Sequence, residues 1–267
     1  MNDDVAHLLA AYDAQLREKG EIARADSAER HGPVWWARFG NDGFVTYADL
    51  GGLEGEALDA LIGETVAHFR DETDVGEFEW KTRGHDAPAD LGARLQARGF
   101  VPDAEETVMV GEVGLLAVDV PLPAGVTVRR AGDGGDLLDD VDRALTMQED
   151  VFQRGAGPEV ATMVAQIREH PDEVELWLAE YDGQVVCAGR LDVVAGTDFA
   201  GLWGGATRPH WRGHGLYRAV TAARARSALA LGVRYLHSDC SPMSRPILER
   251  SGLVAITTTT PYVWTRG

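Results

Sequence analysis

The stretch Gly201-Leu202-Trp203-Gly204-Gly205-Ala206-Thr207-Arg208-Pro209-His210-Trp211-Arg212-Gly213-His214-Gly215-Leu216-Tyr217-Arg218 decides how the rest of the chain is read. A strand runs into a glycine loop, and the loop opens a helix with the apolar stripe Leu216, Ala219, Val220, Ala223, Ser227 and Leu231. Gly213 and Gly215 allow the backbone to approach a ligand closely. The unpaired N–H groups of a helix start and the positive end of its dipole favour an anion there. A diphosphate is the natural guest. Gly204-Gly205 inside the strand reads as a bulge, because glycine weakens a strand and marks the close approach of another chain or ligand. The dinucleotide fingerprint fails, since Arg218 stands where its third glycine belongs and residues 224–237 carry no carboxylate. A Walker loop fails for want of Lys before Ser or Thr.

Charge sharpens the reading. The chain of 267 residues has 43 acids against 25 bases, a net of −18, which argues against nucleic acid or an anionic membrane as partner. Residues 1–119 hold a net of −15 and residues 120–267 a net of −3. Residues 208–250 carry eight arginines against Asp239 and Glu249, a net of +6. Such an island in an acidic protein suggests an anionic ligand, the bland alternative being a solvated basic helix face. No run approaches the ~18 apolar residues of a membrane span, and Met1-Asn2-Asp3-Asp4 lacks the basic start of a signal peptide, so the expected location is cytoplasmic. Cys187 and Cys240 are too few for a disulfide framework and lack metal-ligand spacing; they read as buried hydrophobes or as a reactive thiol.

Working outward, Pro121-Leu122-Pro123-Ala124-Gly125 is a rigid, turn-rich stretch that predicts a division into domains 1–119 and 120–267. In the first, a strand at Gly43–Ala48, a helix through Leu58, Leu61, Ile62, Val66 and Phe69, a strand at Glu77–Lys81, a helix from Ala89 to Arg98 and a strand at Thr107–Val110 alternate. The order predicts an α/β fold with a mixed sheet and crossover helices. The same order returns after the linker. At an offset of 153, Leu95, Gly99, Val101, Thr107 and Val110 match Leu248, Gly252, Val254, Thr260 and Val263. We read this as a degenerate tandem repeat, with the first copy expected to lack its opening strands and its ligand loop.

Arg212-Gly213-His214-Gly215-Leu216-Tyr217 resembles the Arg/Gln-x-x-Gly-x-Gly/Ala signature of the GCN5-related N-acetyltransferases (GNATs). The flanks agree. Val126–Arg129 resembles the opening strand, 136–153 and 158–170 the first two helices, Leu176–Glu180 and Val185–Leu191 the hairpin, and Leu248–Leu253 the last helix and its stop. The resemblance covers about residues 124–267 and implies the acyl-CoA N-acyltransferase fold in two related units, acetyl-CoA as cofactor and acyl transfer to a small amine. It implies that the backbone of Arg212, Gly213, His214, Gly215, Leu216 and Tyr217 holds the diphosphate and that Ala206 and Thr207 pair with the pantetheine.

Two departures concern chemistry. Tyr217 replaces the small final residue of the signature, and Leu248 stands where the family often has a tyrosine that protonates the leaving thiolate. Ser244, Cys240 or water are the substitutes the sequence offers. For the base, Asp239 is best positioned, with Asp192 and Glu149 behind it; the alternative is that Asp239 pairs with Arg234 or Arg245 or caps the following helix. His214 and His237 read more readily as structural. Asp136, Asp139, Asp140, Asp142, Glu149 and Asp150, opposed only by Arg143, suggest a cationic amine as acceptor or else a solvated acidic face. The leading expectation is thus an acetyl-CoA-dependent N-acetyltransferase, with a non-catalytic acetyl-CoA sensor as its rival and a homodimer left open.

Overall fold

The computed structural model describes residues 3–153 and 159–267. Its elements are α1 (Asp3–Gln15), β1 (Ser27–His31), β2 (Val34–Phe39), β3 (Asp42–Thr46), α2 (Gly55–Ala67), β4 (Glu77–Arg83), α3 (Leu91–Ala97), β5 (Val101–Pro102), β6 (Glu106–Glu112), α4 (Val113–Leu116) and β7 (Val126–Arg130). There follow α5 (Leu137–Phe152), α6 (Val160–Glu169), β8 (Val174–Tyr181), β9 (Gln184–Val193), β10 (Phe199–Thr207), α7 (Leu216–Ala230), β11 (Tyr235–Cys240), α8 (Arg245–Arg250) and β12 (Val254–Thr265). None of the described helices is long and apolar enough to cross a membrane. Two compact units emerge: Met1–Met109 with Asp239–Pro246 and Val254–Gly267, and Val110–Ser238 with Ile247–Leu253. The expected division at 119/120 is a single cut, whereas these units are assembled from five segments.

In the first unit the strand order is β1-β2-β3-β4-β12-β6, with β5 on β12. Glu77-Phe78-Glu79-Trp80-Lys81 alternates apolar and charged residues, and the period of two buries Phe78 and Trp80 on one face. The parallel pair β3 and β4 requires a crossover, which α2 supplies while burying Leu58, Leu61 and Ile62 against Phe69, Phe78 and Trp80. Phe69 and Phe78 stack at 4.3 Å. The terminal strand β12 lies antiparallel to β4 from Thr259 opposite Arg83 to Thr265 opposite Glu77. Ahead of β3, where the sequence reading placed the first strand of this unit, β1 and β2 form a hairpin.

In the second unit the order is β11-β10-β9-β8-β7, antiparallel except for the parallel pair β10 and β11 that α7 joins. Alternate residues of β8 face opposite sides: Leu176 and Leu178 pack with Val141, Met147 and Met163 of α5 and α6, while Ala179 packs with Leu216 and Val220 of α7. Asp136 caps α5 by accepting the Asp139 N–H at 3.0 Å. The two expected helices over 136–153 and 158–170 are α5 and α6; Pro158 lies outside the described residues.

Candidate functional site

The glycine loop lies in the second unit, between β10 and α7. Register against β9 shifts between Trp203 and Ala206, and Gly204 sits at φ +60°. The expected bulge is therefore present. After Thr207 the chain makes a short 3-10 turn over Pro209–Trp211, and Arg212 Nε donates to the Thr207 carbonyl at 3.3 Å. Gly213 and Gly215 both adopt φ +80°, a region closed to most side chains, and a Cβ built on Gly213 meets open space. Gly215 is the N-cap of α7 and supplies no side-chain acceptor. The first intrahelical bond is Ala219 N–H to the Gly215 carbonyl, so the N–H groups of Leu216, Tyr217 and Arg218 precede the ladder. Glycine-framed, uncapped and reached from a bulged strand, this helix start has the donors and room that a diphosphate requires.

Tyr217 answers the question raised by its place in the signature. A Cβ on Gly205 would come within 2.7 Å of the Tyr217 ring, so the ring lies against β10 and Gly205 is small because of it. Tyr217 also hydrogen-bonds Arg224, whose guanidinium is buried with no carboxylate partner among the described residues. Arg224 donates instead to the Arg190 carbonyl at 3.0 Å and to Thr221 Oγ1 at 3.1 Å. Burial pulls its pKa below the ordinary arginine value, with Tyr217 and Cys187 opposing. A second contact that sequence reasoning missed is Gln148, which donates to the Gly204 carbonyl at 2.5 Å and so holds the bulge from α5.

Several arginines of the basic island are already engaged. Arg208 reaches Asp150 at 3.3 Å and the Val185 carbonyl at 3.0 Å; Arg226 donates to the Val118 carbonyl at 2.7 Å; Arg234 lies 4.7 Å from the Tyr235 ring. Arg224 is interior. The acidic stretch of α5 is largely committed too. Asp139 pairs with Arg143 at 2.8 Å, and buried Asp140 accepts from Arg129, Arg143 and the Gly132 N–H. Hydrogen bonds from Arg129 hold the Asp140 carboxyl below its usual range against the opposing effect of burial. Asp142 and Glu149 are left exposed.

Asp239 and Ser244 fall in the first unit, whereas the eight loop and strand-end residues from Ala206 to Tyr217 fall in the second. Asp239 is paired with Lys81 at 2.7 Å. Lys81 lies 3.8 Å from Glu21, which binds the Arg83 guanidinium and the Thr46 hydroxyl. Burial would push Lys81 down, but Asp239 and Glu21 outweigh it and its pKa lies above the ordinary lysine value. The sequence reading sets a base role for Asp239 against pairing with Arg234 or Arg245 or a helix cap; the structure brings it to Lys81, a partner that reading does not name. Ser244 is half-buried, its N–H bonded to the Ser241 carbonyl at 3.0 Å. Asp192 pairs with Arg190 at 3.0 Å, and His237 is buried edge-on to Trp203. His214 Nδ1 lies 3.0 Å from the Arg212 carbonyl. Both cysteines are buried, and burial pushes the Cys187 thiol up to about 11, which leaves its hydrophobic role. Leu248 is buried as well, an apolar side chain at the position of the missing tyrosine.

With this geometry in place, comparison with known proteins fixes the fold. The sequence matches no protein-family profile and no curated protein. The structure is similar to a GCN5-related N-acetyltransferase from Kribbella flavida, with a TM-score of 0.71 at 15% identity over 100% of this chain and 98% of that one. It is similar to another from Sphaerobacter thermophilus, with a TM-score of 0.64 at 15% identity over 98% of this chain and 91% of that one. A tandem GNAT protein from the clavulanic acid biosynthesis pathway gives 0.60 at 17% identity over 100% of this chain and 96% of its own. The chain has the GCN5-related N-acetyltransferase fold, and its two compact units fit the tandem arrangement.

Proposed function

We propose that the chain is an acetyl-CoA-dependent N-acetyltransferase whose small amine acceptor attacks the thioester directly. One observation carries the reading: the uncapped start of α7, framed by Gly213 and Gly215 at φ +80° and open where a Cβ on Gly213 would project. In this proposal the backbone from Arg212 to Tyr217 binds the diphosphate of coenzyme A, and Arg212 adds a charged donor. The main chain at Ala206 and Thr207 pairs with the pantetheine, while Gln148 fixes the bulge that frees this strand end. Bound acetyl-CoA supplies an activated acyl group. An amine of pKa about 10 must lose a proton before it attacks. We keep Asp239 out of the base role, because the Lys81 ammonium occupies one carboxylate oxygen, and nothing around Ser244 marks it as the acid. Asp136, Asp139, Asp140 and Asp150 are engaged in a cap and ion pairs, so they give no selection for a cationic acceptor.

Buried Leu248 favours one second reading, a sensor that binds acetyl-CoA without turnover. Mass spectrometry of a panel of small amines incubated with the chain and acetyl-CoA, with thiol release followed in parallel, separates the two. Acetylated amine with stoichiometric free thiol supports the enzyme. Tight binding with neither product supports the sensor.

A further inference from the structure

In the first unit, Tyr47 lies just past the end of β3, and His85 and Asp86 lie just past the end of β4. β3 and β4 run parallel, so all three residues stand beyond the carboxyl ends of strands joined by the crossover α2, the place where open α/β sheets receive ligands. A recess opens there, lined wholly by residues of this unit. Its volume is about 280 Å³, the room of ~9 waters at ~30 Å³ each.

Arg17 lines the recess with a side chain only 2% exposed. Its guanidinium lies 5.1 Å from the Tyr47 ring, with Nη2 2.9 Å from Asp86 Oδ1 and Nη1 3.8 Å from Asp13. Among the described residues, its Nε has no hydrogen-bond partner. Asp86 cannot turn to supply one, because its Oδ2 already accepts from the Tyr47 hydroxyl at 2.6 Å and from the Arg83 N–H at 2.7 Å. A buried donor left unpaired costs free energy, and a carboxylate, the planar acceptor a guanidinium holds best, would remove that cost. The neighbouring donors are spent: the Tyr47 hydroxyl on Asp86, and the ring nitrogens of His85 on Thr257 at 2.8 Å and Asp13 at 3.2 Å. Arg17 therefore offers a place for a single anionic group.

The rest of the lining has the opposite sign. The connection from β3 to α2 takes the position in this unit that the connection from β10 to α7 takes in the other, since each leaves the first strand of a parallel pair and opens the crossover helix. Residues 206–218 carry Arg208, Arg212 and Arg218 and no acid, whereas Ala48-Asp49-Leu50-Gly51-Gly52-Leu53-Glu54 carries two acids and no base. Asp49 and Glu54 are exposed and line the recess. A diphosphate would meet them as like charges, and an ammonium would meet them as opposite ones. Leu50, Leu53 and Pro88 add an apolar wall.

We infer that this recess binds a small α-amino acid with an apolar side chain, its carboxylate on Arg17 and its ammonium facing Asp49 and Glu54. The first unit is then a ligand-binding module in its own right, and the inference does not depend on the cofactor reading of the second.

Isothermal titration of the full chain without acetyl-CoA tests this. The probes are L-leucine, L-valine and L-methionine, with 4-methylpentanoate as the leucine analogue lacking the ammonium and 3-methylbutylamine as the one lacking the carboxylate. L-Leucine should bind at least about tenfold more tightly than 3-methylbutylamine, which forfeits the buried charged contact. It should bind about threefold more tightly than 4-methylpentanoate, whose missing partners are exposed. Arg17→Met should abolish L-leucine binding in a chain that circular dichroism shows to be folded. Should loss of this buried cation unfold the chain, the Asp49→Asn/Glu54→Gln variant, at exposed positions, decides: L-leucine affinity should fall to that of 4-methylpentanoate, and 4-methylpentanoate affinity should not fall. Failure of all three amino acids to bind overturns the inference. Equal affinity for L-leucine and either analogue also overturns it, as does L-leucine binding that neither variant weakens.

Discussion

Lys81 and Asp239 stand 158 residues apart and meet at 2.7 Å, with side-chain exposures of 17% and 5%. Removing one partner of such a pair strands the other charge in a poorly solvated place. Asp239→Asn is therefore expected to lower the unfolding free energy by about 3 kcal/mol, measured by urea denaturation. Adding Lys81→Met should recover part of that loss, a coupling that a purely chemical role for Asp239 would not produce. Arg224 makes the same point from the second unit. A Cβ on Gly189 would sit 2.8 Å from its guanidinium carbon, and the buried side chain has nowhere to go, so Gly189→Ala should cost about 1–3 kcal/mol. Neither relation is legible in sequence. The eight arginines of residues 208–250 can be counted there, but which are interior depends on a β9 glycine and carbonyl 34 residues or more away.

The loop between β10 and α7 was the most legible element, because glycine spacing and an apolar stripe are local signals. A valine at Gly215 must adopt φ +80°, which a β-branched side chain resists. Gly215→Val should abolish coenzyme A binding in calorimetry, and Arg212→Ala should weaken it by about 1.5–3 kcal/mol if its guanidinium makes a charged hydrogen bond. The hairpin of β1 and β2 was illegible for a physical reason: Ser27–His31 is a polar strand that buries no side chain, so it carries no alternation to read. In α5, Asp140 ties the helix to Arg129 of β7. Its folded pKa is depressed, so it contributes stability that is complete above its unfolded value of about 3.9 and is lost as pH falls through the lower folded value. Asp140→Asn should accordingly flatten the acid limb of a stability-against-pH curve below about pH 4, followed by circular dichroism.

At the scale of the molecule, the alternation of strands and helices gave the fold class, since two periods, 2 and 3.6, are written in any chain that buries them. The assignment of β12 was not written locally, because strand pairing is decided by partners far along the chain. Its Thr259–Thr265 segment pairs with β4 and brings Tyr262 and Trp264 to the core of the first unit. A chain ending at Leu253 should lose the cooperative unfolding of that unit and its near-ultraviolet tryptophan signal. The echo between 95–110 and 248–263 has a local counterpart: Leu95 and Leu248 are both buried, and Gly99 and Gly252 both stop a helix at positive φ. Whether the start of α7 holds coenzyme A is decided by hydrogen–deuterium exchange with and without acetyl-CoA. The backbone amides of Arg212 to Arg218 should become protected on addition of the ligand. Binding without protection in that segment would contradict that placement.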